Sequence, residues 1–275
     1  MHGLYGREKA WGETDWKRRA GYYLLGELHC PGRLRAWHLI KELRRLRLWS
    51  HEPRVLYDAG GGEGAFAYYA ARRFPGWRVV IGDNEPRTIG RAERIKRGLR
   101  LTNLEVRTVD LRDPGDHEVY DITVCSDVLE HIDEDSLVVK HLAHALKPGG
   151  VLIVTSPSVP QPRHLPLVRW RERRIGFHPS DYGHVRDGYS ERQIEVLFDD
   201  AGLEVESVRQ TFGPFGTLMF DLFFATGDNR PNPVVYAGLF PFYLALGALD
   251  LSLGTRRGAA VLGVARKPAT STLPA

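Results

Sequence analysis

The segment 55–65, VLYDAGGGEGA, constrains the fold of this chain more than any other, because an apolar strand runs directly into a turn of four glycines. Glycine has no Cβ, so Gly60, Gly62 and Gly64 can adopt positive φ and let a ligand touch the backbone. The residues that follow, 65–74, are apolar at helical spacing and end before a Pro-Gly pair. Strand, glycine turn and helix together are typical of the opening of a nucleotide-binding α/β unit.

The spacing of these glycines leaves two classes of cofactor open. Gly60-x-Gly62-x-Gly64 overlaps Gly60-x-Gly62-x-x-Ala65, and the second pattern matches the dinucleotide fingerprint. The loop alone therefore does not choose between a dinucleotide and another cofactor that contains adenosine.

Beyond this unit the chain alternates short apolar runs with helical patterns, which is typical of a parallel sheet. Asn84 begins one of the intervening helices, Asp133 begins another, and a Pro-Gly-Gly turn at 148–150 ends the second and leads into the next strand. The sequence therefore predicts an α/β fold with a doubly wound, mostly parallel sheet. The predicted strands are 55–57, 77–81, 104–109, 122–125, 151–155, 203–208 and 259–265.

The length of 275 residues, 43% of them hydrophobic, suits one large core with insertions better than two full domains. We predict an N-terminal helical segment over 1–50 and a core formed by 51–210 and 258–268. Two insertions, 157–189 and 211–257, follow the fifth and sixth strands. The first is irregular and rich in proline, and loops of such length are usually functional or disordered.

The second insertion, 211–257, is unusually apolar and aromatic. Its run 234–253 has about the length of a membrane span, but Pro241, two glycines and Asp250 interrupt it. A single crossing would also leave the strands before and after the insertion on opposite sides of a bilayer. We therefore expect either a cap over an apolar substrate pocket or an in-plane contact with a membrane or a second copy of the chain.

Charge and cysteine content limit the partners, the covalent links and the metal sites that can be expected for this chain. The net charge of +4 comes mostly from arginines. These arginines form either a solvated face or a docking surface for an anionic lipid or substrate. No other feature of the sequence suggests binding to nucleic acid. Cys30 and Cys125 lie far apart, and the histidines show no tight ligand spacing, so neither a disulfide nor a metal site is predicted. Without a signal-peptide pattern, the expected location is the cytoplasm, with peripheral contact at the inner face of the membrane as an option.

Two acidic positions follow the next two strands. Asp83 ends the second strand, where a carboxylate can accept both ribose hydroxyls of a nucleotide, although it could instead cap a helix together with Asn84 and Glu85. Asp110 and Leu111 follow the third strand, where a carboxylate and a backbone N–H could bind an adenine edge. A surface turn is the alternative for Asp110.

Four motifs in combination resemble the Rossmann-like S-adenosylmethionine-dependent methyltransferases, especially the small-molecule and lipid branch that includes the ubiquinone-pathway enzymes. They are DAGGGEG at 58–64, IGDNEP at 81–86, YDITVCSDVLEHI at 120–132 and LKPGGVLIVTSP at 146–157. The resemblance covers about residues 32–210 and the last strand. The chain departs from the usual pattern with Gly61 and Glu63, and the family tolerates both residues.

The resemblance implies a seven-stranded sheet with helices on both faces and an antiparallel last strand. It implies that the glycine turn lies against the methionine part of the cofactor and that Asp83 holds the ribose. Asp110 and Leu111 would hold adenine, and the backbone around Cys125 and Ser126 would line the methionine end. Asp58 would brace the turn and approach the methionine amine. The implied cofactor-binding set is Asp58, Gly60, Gly62, Gly64, Asp83, Asn84, Asp110, Leu111, Cys125 and Ser126.

Methyl transfer from a sulfonium is an in-line displacement, so the protein must mainly align acceptor and methyl group and exclude water. If the acceptor is an oxygen, a base could assist. His131, in the turn LEHI, is the first candidate and His184 the second. A structural hydrogen bond is the alternative role for His131, and shaping of the acceptor site is the alternative for His184.

The predicted function is therefore methyl transfer from S-adenosylmethionine to a small-molecule or lipid-like acceptor, with the acceptor atom undetermined. The aromatic second insertion favours an apolar or amphipathic acceptor held under the two insertions. Two alternatives stay open at this stage, an NAD-dependent oxidoreductase and a non-catalytic relative that keeps the cofactor site.

Overall fold

A computed structural model describes residues 5–113, 115–175, 183–226 and 233–269. One mixed sheet of seven strands forms its centre, in the order β3-β2-β1-β4-β5-β7-β6. Strand β7 runs antiparallel to both of its neighbours, and the other pairs are parallel, as predicted. The strands are β1 Val55–Ala59, β2 Arg78–Asp83, β3 Leu104–Thr108, β4 Tyr120–Ser126, β5 Leu146–Pro157, β6 Glu204–Thr211 and β7 Ala260–Arg266.

Nine α-helices accompany this sheet within the described ranges. A 3-10 helix, Arg7–Trp11, precedes the first of them, and a 3-10 turn, Leu129–His131, precedes the fifth. The α-helices are α1 Trp16–Leu25, α2 Cys30–Arg45, α3 Ala65–Arg73, α4 Pro86–Leu99, α5 Asp135–Ala145, α6 Pro166–Ile175, α7 Glu191–Asp200, α8 Pro214–Ala225 and α9 Pro233–Ser252.

Two of the predicted boundaries are wrong in detail. The helix predicted from Asp133 begins at Asp135, and the Pro-Gly-Gly segment lies inside β5 instead of preceding it. Leu146 already pairs with Tyr120, and the register then shifts so that Val151 pairs with Ile122. The residues between Leu146 and Val151 therefore form an irregularity within the strand. A Pro-Gly-Gly sequence predicts a turn but does not show whether that turn lies before a strand or inside it.

The two faces of the sheet carry separate apolar cores. One face packs against α2, α3 and α4 through side chains such as Ile40, Phe66 and Ile95. The other packs against α5 and α7 through side chains such as Val139 and Phe198. A helix on each side is the consequence of burying both faces of a parallel sheet.

The insertion after β6 forms α8 and α9 and has an apolar core of its own. Trp37 of α2 packs there with Phe212, Met219 and Tyr243. His38 bonds with its Nε2 to Asp250 Oδ2 at 2.8 Å, so a buried polar pair also ties α2 to α9.

Helix α9 is the one described helix that is long and apolar enough to cross a membrane, judged by length and composition over Val235–Ser252. Strands β6 and β7, which flank the α8–α9 insertion, are direct neighbours in the sheet. Both ends of the insertion therefore lie at the same sheet, and a single crossing by α9 does not fit this topology.

Candidate active site

The glycine turn connects β1 to α3 at the carboxyl edge of the sheet. Gly60, Gly62 and Gly64 have φ values of 65°, 55° and 72°, so all three take the left-handed conformation that glycine adopts without strain. The Gly60 N–H donates to the carbonyl oxygen of Gly82 at 2.8 Å, and the Gly64 N–H donates to that of Gly61 at 2.8 Å. The turn is thus fixed by the backbone itself.

The three glycines differ in what surrounds them. A Cβ on Gly60 would lie 2.5 Å from Val128, and a Cβ on Gly64 would lie 2.5 Å from Ile81. A Cβ on Gly62 would meet nothing within 4 Å in the described protein. Protein packing therefore explains glycine at 60 and 64, whereas the space beside Gly62 is open to a ligand.

This difference predicts opposite phenotypes for two substitutions. We expect Gly64→Ala to lower the free energy of unfolding by about 2–3 kcal/mol, since the new methyl group collides with Ile81. We expect Gly62→Ala to cost only about 1 kcal/mol for its positive φ and to weaken cofactor binding by at least about tenfold. Thermal unfolding and calorimetric titration measure the two effects, and a Gly62→Ala protein that binds cofactor as tightly as the wild type would contradict the assignment.

Asp83 is the last residue of β2, and its carboxylate bonds both to the glycine turn and to the turn that leads into α4. Its Oδ2 accepts from the Gly62 N–H at 2.9 Å, and its Oδ1 accepts from the Glu85 N–H at 2.9 Å. The predicted helix start at Asn84 is displaced by one residue, because the Glu85 side chain caps α4 by accepting from the Arg87 N–H. Asp83 therefore braces both the glycine turn and the turn that leads into α4.

Asp58 lies beneath the glycine turn and is buried. The pKa of its carboxyl group is raised to about 7, mainly by burial; a hydrogen bond from the Ala67 backbone opposes the rise, and the charge of Asp83 adds to it. A cation brought near would favour the ionised form. Asp58 is thus suited to brace the turn beside a positively charged group.

A cleft of about 790 Å³, here called the glycine cleft, opens at this edge of the sheet. Five predicted cofactor residues line it, and the other five, Asp58, Gly62, Gly64, Cys125 and Ser126, are not part of its lining. Cys125 is fully buried in β4, and the Ser126 hydroxyl bonds to that of Thr155 at 2.8 Å. The predicted residues in the lining are Gly60, Asp83, Asn84, Asp110 and Leu111.

Asp110 lies on the exposed side of the glycine cleft. Its carboxylate binds the Arg112 guanidinium at 2.7 Å, and this hydrogen bond holds the pKa of Asp110 down to about 2. Leu111 beside it is buried. The cleft is thus bordered here by an ionised acceptor and a buried apolar side chain, and adenine binding by the Asp110 carboxylate and the Leu111 backbone N–H stays a prediction.

A second cavity of about 310 Å³, here called the aromatic cavity, adjoins the glycine cleft. Asp127 and His131 line both, so the two spaces meet at these residues. The apolar wall of the aromatic cavity comes largely from the insertion after β6. Its aromatic side chains are Phe212, Phe220, Phe223 and Phe224.

His131 and His184, the two predicted catalytic residues, lie together in the aromatic cavity. Their rings pack edge to face with centroids 4.5 Å apart. The Nδ1 of His131 lies 3.1 Å from the carbonyl oxygen of Gly183. A carbonyl only accepts, so Nδ1 carries the proton and the Nε2 of neutral His131 keeps its lone pair. Burial, followed by the adjacent His131, lowers the pKa of His184, which favours its neutral form.

Charged residues at the same place were missed by the sequence analysis. Arg35 of α2 forms an ion pair with Asp127 and lies 5.7 Å above the ring of Phe212. Glu130 is buried, and its Oε2 accepts from the Ser156 hydroxyl at 3.0 Å. Burial first, and then the charge of Asp127, raises the pKa of Glu130. Arg35 carried no signal in the sequence, whereas Glu130 stands beside His131 in the LEHI motif.

The expectation that the histidines form no ligand cluster needs a correction. Glu130, His131 and His184 each offer one ligand atom, and these atoms lie within 4.8 Å of one another. The fold brings together residues that are distant in sequence, which spacing alone does not reveal. The cluster could hold a metal ion, although Glu130 and His131 each already have a hydrogen-bond partner in the protein.

Comparison with known proteins agrees with this geometry. A family model described as a methyltransferase domain matches residues 33–208. Ubiquinone biosynthesis O-methyltransferase of Rickettsia canadensis (strain McKiel) is 21% identical over 201 residues, which cover 71% of this chain and 80% of that protein. The enzyme of the same name from Serratia proteamaculans (strain 568) is 28% identical over 97 residues, only 35% of this chain and 40% of that one.

A solved structure shows the same fold over most of the chain. Geranyl diphosphate C-methyltransferase from Streptomyces coelicolor A3(2), in complex with Mg2+, geranyl diphosphate and S-adenosyl-L-homocysteine, superposes with a TM-score of 0.57. It is 17% identical, and the match covers 94% of this chain and 88% of that one. The chain belongs to the methyltransferase-domain family. It is an S-adenosylmethionine-dependent methyltransferase, and the dinucleotide alternative is set aside.

The described residues fit S-adenosylmethionine. The space beside Gly62 admits a ligand against the backbone, and the glycine cleft has the volume that small-molecule sites usually have. Asp83 and Asn84 would hold the ribose, and Asp110 and Leu111 the adenine. When bound, this cofactor supplies a methyl group on a positively charged sulfur, which suits a site that contains Asp58 and Asp127.

Proposed function

We propose that this methyltransferase acts on a hydroxyl oxygen of an apolar or amphipathic small molecule held in the aromatic cavity. The observation that carries the proposal is the junction of the two spaces at Asp127 and His131. An acceptor against the phenylalanine wall would reach the glycine cleft only past these two residues. Transfer between two ligands requires such a shared boundary.

The wall of the aromatic cavity favours an acceptor with an apolar part. Phe220, Phe223 and Phe224 of α8 all line the cavity. The similar proteins named above include ubiquinone biosynthesis O-methyltransferases and an enzyme bound to geranyl diphosphate. The first name refers to ubiquinone biosynthesis and the second structure contains geranyl diphosphate, and both are in keeping with the apolar acceptor proposed here.

His131 is proposed as the group that takes the proton. Its Nδ1–H is held by the Gly183 carbonyl, so Nε2 is the nitrogen left to accept a proton from the acceptor hydroxyl. The Arg35–Asp127 ion pair and the buried Glu130 fix the surrounding wall. His184 packs against the His131 ring and positions it.

Truncation of the aromatic wall tests the class of acceptor. We expect Phe220→Ala to raise KM about 30-fold for a phenol that carries an isoprenoid tail, because about 2 kcal/mol of apolar contact is lost. KM for the same phenol without the tail is expected to stay within about twofold. The assay follows transfer of a labelled methyl group over a panel of paired acceptors.

Leu222→Ala provides the matched control, since Leu222 lies on the same helix and packs into the core around α9 without lining the aromatic cavity. If KM rises equally in Phe220→Ala and Leu222→Ala, or equally for the phenol with and without its tail, the acceptor tail does not lie against the phenylalanine wall as proposed. Methyl transfer to soluble polar amines alone would overturn the acceptor class.

A further inference from the structure

The outer side of α9 is apolar from Val235 to Leu249. From 235 to 249 the helix contains no charged residue, and its first acid, Asp250, points inward, where it accepts from the Gly216 N–H and pairs with His38. Water-facing helices normally carry polar residues on the exposed side. The exposed residues of this face are Val235, Ala237, Gly238, Pro241, Phe242, Ala245, Leu249 and Ser252, and exposed Leu253 follows the helix.

Helix α1 presents a second exposed apolar surface. Trp16 and Leu24 are 73% and 69% exposed, and Tyr23 is exposed as well. The residues that follow α1 pack on the first turns of α9, since the Tyr236 hydroxyl donates to the carbonyl oxygen of Leu28. The exposed surfaces of α1 and α9 therefore belong to neighbouring parts of the fold.

Basic side chains accompany both helices. Lys17 and Arg19 are exposed beside Trp16, and Arg256 and Arg257 are exposed just beyond the end of α9. None of these four cations forms a salt bridge with an acid in the described parts of the chain. Apolar surface bordered by unneutralised cations is complementary to the headgroup region of an anionic bilayer.

We propose that α1 and the exposed face of α9 form a docking surface for an anionic lipid bilayer. The aromatic cavity lies directly behind this surface, because Phe223 lines the cavity and packs against Tyr236 and Tyr243 of α9. Docking would bring the cavity to the region where apolar acceptors concentrate. The proposal does not depend on the identity of the acceptor, since cofactor binding and methyl transfer to a soluble compound need no bilayer.

Vesicle binding by the full chain tests this surface. We expect the wild-type protein to sediment with vesicles of phosphatidylcholine and phosphatidylglycerol, and the double variant Phe242→Ser/Leu249→Ser to bind at least about tenfold more weakly. Val196→Ser/Val205→Ser is the matched control, since both valines are exposed on other elements, α7 and β6. Affinity for S-adenosylmethionine, measured on every variant, shows that the fold is retained.

The exposed arginines beyond α9 allow a second, independent test of binding to vesicles. We expect Arg256→Gln/Arg257→Gln to weaken binding to anionic vesicles by roughly fivefold per lost charge and to leave the weaker binding to pure phosphatidylcholine unchanged. If the affinity for vesicles depends neither on the lipid charge nor on these arginines, the proposal that the bilayer is anionic is wrong.

A second copy of the chain is the competing occupant of this surface. Light scattering in solution distinguishes the two, because a docking surface for lipid leaves Phe242→Ser/Leu249→Ser and the wild type equally monomeric. A wild-type dimer that this variant converts to a monomer, or an absence of vesicle binding by the wild type, would overturn the proposal.

Discussion

Replacing Asp83 by alanine is expected to weaken binding of S-adenosylmethionine by about 100-fold, because hydrogen bonds to a charged group contribute about 1.5–3 kcal/mol. The carboxylate accepts from the backbone N–H groups of Gly62 and Glu85 and also lines the glycine cleft. Alanine removes the acceptor for the ribose and releases both turns at once. Isothermal titration calorimetry measures the change directly.

The control for this variant is Asp199→Ala, an exposed acid on α7 that is remote from both cavities. We expect its affinity for the cofactor to stay within about twofold of the wild type. An Asp83→Ala protein that unfolds like the wild type and still binds S-adenosylmethionine normally would show that Asp83 only caps the turn into α4.

Substitution of His131 separates its two roles, because asparagine and glutamine each imitate one nitrogen of the ring. In His131→Asn the amide can still donate to the Gly183 carbonyl, but the basic Nε2 is gone. We expect kcat to fall by about 100-fold, in the range that general-base catalysis contributes, with cofactor affinity unchanged. The lost activity should recover partly as the pH rises toward the pKa of the acceptor hydroxyl.

The control is His51→Asn, since His51 is exposed and lines neither cavity. Steady-state kinetics over a range of pH, with the acceptor varied, measure kcat and KM separately. If His131→Asn keeps full activity while a variant without the amide donor, such as His131→Ala, loses it, the bond to Gly183 is the whole role of His131 and the proposed base is wrong.

The cofactor side of the site could be predicted from the sequence because its residues follow strands within one local segment each. A glycine turn after β1 and an acid at the end of β2 meet at the sheet edge in any parallel sheet of this order. The structure accordingly joins Asp83 to Gly62 by a hydrogen bond. Asp83 also bonds the turn into α4, and its role at the ribose stays a prediction.

The acceptor side could be predicted only in part, because distant segments build it. Arg35 comes from α2, Glu130 from the turn after β4 and the phenylalanines from α8. Local patterns contain no information on such long-range packing, so the second insertion could be interpreted as a cap or as a membrane contact. The structure shows that α8 supplies the inner wall, while α9 keeps an exposed apolar side.

The most direct test of the central claim is a calorimetric comparison of S-adenosylmethionine with NAD on the wild type and on Gly62→Ala. We expect the wild type to bind S-adenosylmethionine with a Kd of roughly micromolar order, about −8 kcal/mol, and not to bind NAD. We also expect Gly62→Ala to stay folded and to lose most of that affinity. A wild-type protein that binds NAD and not the sulfonium compound would contradict the central claim.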